Sequence, residues 1–256
     1  MNRNVARIST PGWWHVFLRS MVAAIVLAGY AGFPHAVIAG DAGPQTDPIV
    51  VHGPRDQKRV ALTFDACSTR KHGKYDRRIT DILVATRTPA TIFLGGKWME
   101  EHPEAAAELS GNPLFELGNH SYTHPHLLRL TDSAVKNELL AAERVLEQLT
   151  GKRTSIFRAP FGEVDERVSR IAAECGMLTV QYDLASGDPD TNATAEKLIE
   201  YVIRRARNGS IIVMHINGRG WHTAEALPEI VSRLKARGFV FVTVSELIGR
   251  HSALTR

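Results

Sequence analysis

Seven short apolar or β-branched runs, each followed by a segment with helical spacing, constrain this chain more than any other feature. The runs fall at 60–64, 90–94, 115–117, 155–158, 178–182, 210–215 and 239–244. Each has the length and composition of a buried strand. Between them, 75–86 carries Ile79, Ile82 and Leu83 at helical intervals, and 97–109 follows. The segment 131–149 sets Leu139, Leu140, Val145, Leu146 and Leu149 on one face, with Asp132 in its first turn and Gly151 just beyond its end. Helices are also expected at 164–174, 193–207 and 224–236, closed by Gly176, Gly209 and Gly238, and a short one at 245–249. Strands alternating with helices build a parallel sheet covered by helices. Seven repeats suit a closed or nearly closed barrel. An open doubly wound sheet would be expected to carry a glycine-rich phosphate turn after its first strand, and there is none. With 256 residues, 44% of them hydrophobic, one large domain is the expectation.

The barrel is expected to occupy residues 58–250, with 251–256 as a tail. Ahead of it, Arg3, Arg7 and Arg19 precede an apolar run from Met21 to Phe33, and the small residues around Ala36–Ala39 suit a signal peptidase. We therefore read 1–39 as a signal peptide cut after Ala39. The run is too short to span a bilayer comfortably, so no stable membrane span is expected once it is removed, and the protein is expected to be periplasmic or secreted. Residues 40–57, rich in Gly, Asp and Pro, read as a flexible lead-in. The net charge of +4 comes from scattered arginines rather than a basic stripe interleaved with aromatics, which argues against nucleic acid as a partner. Cys67 falls at a strand end and Cys175 at a helix end, on opposite faces of a β/α repeat, so two free thiols are expected rather than a bridge.

In a barrel of this kind the reactive groups gather at the C-terminal ends of the strands. Here Asp65, His120, Arg158, Asp183 with Asp188 in its loop, and His215 all fall at such ends. His120 and His124, three residues apart between them, can face one divalent cation from a helical turn or a tight loop. Such a centre with open positions polarises a carbonyl and activates water. Asp65 is then the candidate base, and Arg158 can hold it ionised through a planar two-point contact. His215 ends an otherwise apolar strand and reads as a general acid, oriented by Asp188 or Asp183.

The ordered stretches Ala61-Leu62-Thr63-Phe64-Asp65, His120-Ser121-Tyr122-Thr123-His124-Pro125, Arg158-Ala159-Pro160-Phe161-Gly162, Ser186-Gly187-Asp188 and Val213-Met214-His215 resemble the five motifs of the polysaccharide deacetylases, the NodB-homology carbohydrate esterases. The resemblance spans about residues 58–249. It implies a distorted (β/α) barrel of seven repeats, a divalent metal, often zinc and sometimes cobalt or nickel, and removal of acetyl groups from N-acetylated sugars in polymers such as peptidoglycan or chitin. It assigns Asp65 as base, His120 and His124 as metal ligands, Arg158 as the residue orienting the base, Asp188 as the partner of the acid His215, and the Phe161 amide as an oxyanion donor. The sequence does not separate N- from O-deacetylation, and a glycan-binding barrel without activity is the alternative from another class.

Two departures from the family pattern stand out. Where a second aspartate usually follows the base as third metal ligand, this chain has Ala66. Cys67 is a candidate replacement, since positions 65 and 67 of an extended strand face the same way, although the expectation remains a structural free thiol. Pro189 stands where a tryptophan commonly walls the acetyl pocket, and Trp221, after the glycine-rich stretch 217–220, is the candidate to fill that place.

Overall fold

The computed structural model describes residues 49–69 and 71–250. The expected signal peptide and the C-terminal tail lie outside them. The elements are β1 (Arg59–Ala66), α1 (Arg77–Ala85), β2 (Ala90–Leu94), α2 (Gly96–Glu101), α3 (Pro103–Gly111), β3 (Phe115–Asn119), α4 (Asp132–Thr150), β4 (Ile156–Phe157), α5 (Glu166–Glu174), β5 (Leu178–Thr179), β6 (Leu184–Ala185), α6 (Ala195–Arg205), β7 (Ile211–His215), α7 (Thr223–Ala236), β8 (Val240–Phe241) and α8 (Val244–Leu247). The strands pair in the order β5-β4-β3-β2-β1-β7-β6, with β8 added on the first residues of β1, and every pair is parallel. This is the expected α/β architecture, a distorted (β/α)7 barrel that curls without a continuous closing ladder.

The sheet ends at β5 and β6, and further pairing, beside β5 and just ahead of β7, comes from an unexpected source. Val50 pairs with Val180 and His52 with Ser210, and Arg55 reaches Asp183 at 2.7 Å. The lead-in expected to be flexible as far as residue 57 is thus fastened from Val50 onward, because its backbone satisfies strand edges that would otherwise be open.

Side-chain alternation along the strands separates an outer from an inner apolar layer, and a third cluster joins α4 and α5 through Val135, Leu139, Phe157, Val168 and Ile171. Leu62, Phe64, Ala66, Ile92, Leu94, Ile212 and Met214 point outward and pack with Leu83, Trp98, Leu227 and Ile230 of the helices. Ala61, Phe93, Ile156, Val180, Ile211 and Val242 fill the lower interior of the barrel. The inward positions nearer the strand ends are Thr63, Asp65 and His215, which leaves the polar groups above an apolar plug.

Local chemistry sets the boundaries. Thr131 caps α4 by accepting from the Ala134 amide, and Gly151 ends it in the left-handed conformation at φ 69°. The helix expected over 97–109 breaks into α2 and α3 at His102, because a residue before proline is driven out of the helical region and Pro103 starts a new helix. The last strand is shorter than expected because Thr243 and Glu246 form a capping box that starts α8. Among the described residues no helix is long and apolar enough to cross a membrane.

Candidate active site

β1 and β7 bring the two ends of the expected chemistry side by side, since Asp65 and His215 are register partners in adjacent strands. They open onto a cleft of about 230 Å³ that is also lined by Cys67, His120, His124, Phe161 and Asp188. Asp65 is buried and accepts from Arg158 Nη1 at 2.8 Å. The same nitrogen donates to the Thr63 hydroxyl at 2.8 Å, while Nη2 donates to the Gln181 carbonyl at 3.1 Å. The two-point contact expected between Arg158 and the carboxylate is therefore a single one, because the second prong is spent on the backbone of the 180–183 segment. Phe93 packs 4.0 Å beneath the guanidinium, an apolar floor that strengthens the pair by excluding water. Burial pulls Asp65 toward protonation, but Arg158, His120 and His215 outweigh it and hold the carboxyl below its ordinary value.

His120 and His124 sit on a loop rather than a helix. Ser121 and His124 adopt positive φ, 62° and 57°, a conformation costly for side-chain-bearing residues and concentrated at functional sites. α4 holds the loop in this shape. Glu138 accepts from the amides of Tyr122 and Thr123 at 2.9 and 2.7 Å, and Asn119, itself tied to Glu143 at 2.9 Å, accepts from the Ser121 amide. His120 Nδ1 bonds the Arg158 carbonyl at 2.8 Å, which leaves Nε2 for the cleft, 3.7 Å from Asp65 Oδ2. Burial lowers the pKa of both rings, that of His124 to about 3, so both are neutral donors. His124 Nδ1 is buried with no hydrogen-bond partner. One nitrogen from each ring and Cys67 Sγ lie within 4.8 Å of one another. Neutral imidazoles, a thiol and an orphaned ring nitrogen fit a divalent ion. Cys67 and Cys175 are both free, as expected. Burial pushes the Cys67 thiol up to about 12.

His215 lies across the cleft in a different setting. Its Nδ1 meets Asp188 Oδ1 at 2.9 Å and its amide donates to Oδ2 at 2.7 Å. Asp188 also accepts from the hydroxyls of Ser186 and Thr223, at 3.1 and 2.7 Å. Burial alone would lower the pKa of His215, but the hydrogen bond and charge of Asp188 raise it. Gly220 is required beside this pair, since an added Cβ would stand 2.5 Å from the His215 carbonyl and 2.6 Å from Asp188 Oδ2. Asp183, the other candidate for orienting His215, is elsewhere. It holds the Ser210 hydroxyl and the Ile211 amide at the start of β7 and pairs with Arg55, so its expected place on the catalytic rim is not observed.

Phe161 is exposed over the cleft at φ 61° and packs against His124 on one side and His126, stacked at 4.2 Å, on the other. Trp221 does not line the cleft. The residue is 53% exposed, and its amide donates to the Asp188 carbonyl at 3.2 Å. The residues that do line the cleft include Tyr182, Val213 and Pro189. The sequence reading missed Thr63, Glu138, Asn217 and Thr223. The two-residue strand period marks Thr63 as a neighbour of Asp65, whereas nothing local marks the others.

Residues 52–180 match the family model described as polysaccharide deacetylase. The chain is 29% identical over 197 residues to a peptidoglycan-N-acetylglucosamine deacetylase of Bacillus cereus, which covers 76% of this chain and 90% of that protein. It is 28% identical over 217 residues to the peptidoglycan-N-acetylmuramic acid deacetylase PdaA of Bacillus subtilis, covering 81% and 80%. Among solved structures, the CE4 family pseudoenzyme BA3943 from Bacillus anthracis superposes with a TM-score of 0.72 at 28% identity, over 80% of this chain and 70% of that one.

Proposed function

This chain belongs to the polysaccharide deacetylase family, and from that premise we propose that it is a metal-dependent hydrolase removing acetyl groups from N-acetylated sugars of an extracytoplasmic polysaccharide, peptidoglycan first. The observation that carries the reading is the gathering of an ionised carboxylate, two neutral imidazoles and a carboxylate-bound imidazole around one cleft. His120 and His124 would hold the metal. When bound, a divalent ion, zinc first with cobalt or nickel as alternatives, supplies Lewis-acid polarisation and makes water easier to deprotonate.

Asp65, kept ionised by Arg158, takes a proton from the attacking water as its oxygen bonds to the acyl carbon. The Phe161 amide donates to the oxyanion that develops. His215, protonated under the influence of Asp188, gives its proton to the sugar nitrogen as the C–N bond breaks. Acetate and a free amine result.

Two further features bear on the substrate. Beside the cleft runs a groove of about 820 Å³ lined by Lys71, Lys97, Arg129 and Arg219, with no carboxylate among its described lining residues. A groove so charged favours a glycan bearing carboxylates, as peptidoglycan does, over a neutral one such as chitin. The relatives acting on peptidoglycan point the same way. Export by the segment read as a signal peptide would deliver the protein to that polymer.

A second reading is a glycan-binding barrel without turnover. Ala66 in place of a metal-binding aspartate and the similarity to a pseudoenzyme favour it. Incubating the protein with peptidoglycan or acetylated chitooligosaccharides, with and without zinc or cobalt, and measuring acetate separates the two. Metal-dependent release supports the hydrolase; retained glycan binding with no release under any metal supports the binding barrel.

A further inference from the structure

We propose that Cys67 is the third protein ligand of the metal centre, so that a thiolate and two imidazoles replace the carboxylate and two imidazoles implied by the family resemblance. This rests on the reading of His120 and His124 as metal ligands. Four independent observations carry it.

The first is direction. Ala66 is fully buried in the outer apolar layer with Phe64 and Trp98, while Thr63 and Asp65 face inward. Cys67 continues the inward face by one strand period, and the sulfur meets the cleft there. The second is reach. Cys67 Sγ and a nitrogen of each histidine lie within 4.8 Å of one another, all on buried residues. Metal–sulfur and metal–nitrogen bonds of about 2.3 and 2.0 Å bring three such donors onto one ion with side-chain adjustments of about an ångström.

The third is the orphaned His124 Nδ1 on a residue only 8% exposed. A buried polar atom without a partner is rare, and an absent ion is one of its few explanations. The fourth is Asn217. Its Nδ2 donates to the Cys67 carbonyl at 2.8 Å and to Sγ at 3.2 Å, while its Oδ1 accepts from the Arg219 amide at 3.4 Å. The two backbone contacts fix which end of the amide carries the hydrogens. The sulfur is therefore an acceptor, the role a ligating thiolate takes from its supporting shell. A thiol present only to fill space needs no such donor.

Binding forms the metal–sulfur bond and releases the thiol proton to solvent, so the ligand contributes the same single negative charge as the carboxylate it replaces. Chemical preference changes nonetheless. A thiolate selects zinc and cobalt over magnesium or manganese, and its oxidation would remove a ligand.

The test uses the full chain stripped of metal and reloaded with one equivalent of cobalt(II). A sulfur-to-cobalt charge-transfer band in the near ultraviolet is expected in the unmodified protein and in Cys175→Ser, and none in Cys67→Ser or Cys67→Asp. Zinc affinity should fall in Cys67→Ser by more than the roughly 10–100-fold that loss of a supporting partner costs. In the unmodified protein, zinc should shield Cys67 from alkylation and leave Cys175 reactive, a measurement independent of how the variants fold. Cobalt bound without the band, lost in His120→Ala, with Cys67 alkylated equally with and without zinc, would overturn the thiolate ligand and leave the two-histidine centre standing. No metal binding together with no acetate release would overturn both.

Discussion

The cleft holds histidines in two opposite conditions. His120 and His124 have their pKa lowered by burial, with His120's Nδ1 committed to a backbone carbonyl and His124's left without a partner. His215, half-buried, has its pKa raised because the hydrogen bond and charge of Asp188 at its Nδ1 outweigh the burial. Burial pushes all three rings the same way, and Asp65 pulls each of them back, but only His215 also hydrogen-bonds a carboxylate, that of Asp188, and only its pKa ends up raised. In the proposed mechanism these two populations of one side chain, set apart by environment, divide the ligand and acid roles. Asp65 adjoins both, 3.7 Å from His120 Nε2 and the register partner of His215, and is held ionised by the cation of Arg158.

The largest effect should come from removing the group between the two halves. Asp65→Asn keeps the shape and removes the base, and turnover measured as acetate release should fall about 10²–10⁴-fold. A fall under tenfold would assign the base elsewhere. Next is the acid half. In Asp188→Asn, His215 loses the neighbour that raises its pKa, and turnover near neutral pH should drop about ten- to a hundredfold. A general acid works only while protonated, so the rate is lost as pH rises through its pKa. With that pKa no longer raised, the alkaline limb of the pH–rate profile should move to lower pH, and an unmoved limb would separate His215 from the acid role.

Smaller effects sharpen the boundary of the site. Replacing Lys97 and Arg129 together by alanine should raise KM for peptidoglycan a few-fold, in keeping with about 0.2–1 kcal/mol for each solvent-accessible charge. KM for a neutral chitooligosaccharide should not change. An equal rise for both substrates would remove the electrostatic reading of the groove. Least of all, Trp221→Ala should leave turnover within about twofold, as for an exposed side chain outside the cleft. A larger loss would return Trp221 to the acetyl pocket.

How much of this was legible depended on the range of the interactions. The strand period along β1 exposed Asp65 and offered Cys67, and the apolar run of β7 singled out His215, because alternation and hydropathy act within a few residues. The barrel followed from repeats of the same local signals. The shape of the histidine loop did not, since the clamp comes from Glu138 and Glu143 on α4, whose helical pattern gives no sign of what their carboxylates reach. Asp183 and Asp188 were equivalent as letters. Only the fold sends one to Arg55 and the start of β7 and the other to His215. Fastening of the lead-in at Val50 and His52 was hidden for the same reason, as its partners lie at Val180 and Ser210.

The central claim is that one metal-loaded cleft cleaves the acetamide. Its most direct test is acetate release from peptidoglycan by the stripped protein as zinc is added back in known equivalents. The rate should rise in proportion to zinc and level off at one ion per chain. A rate unaffected by stripping, or no release with the site fully loaded, would contradict the account.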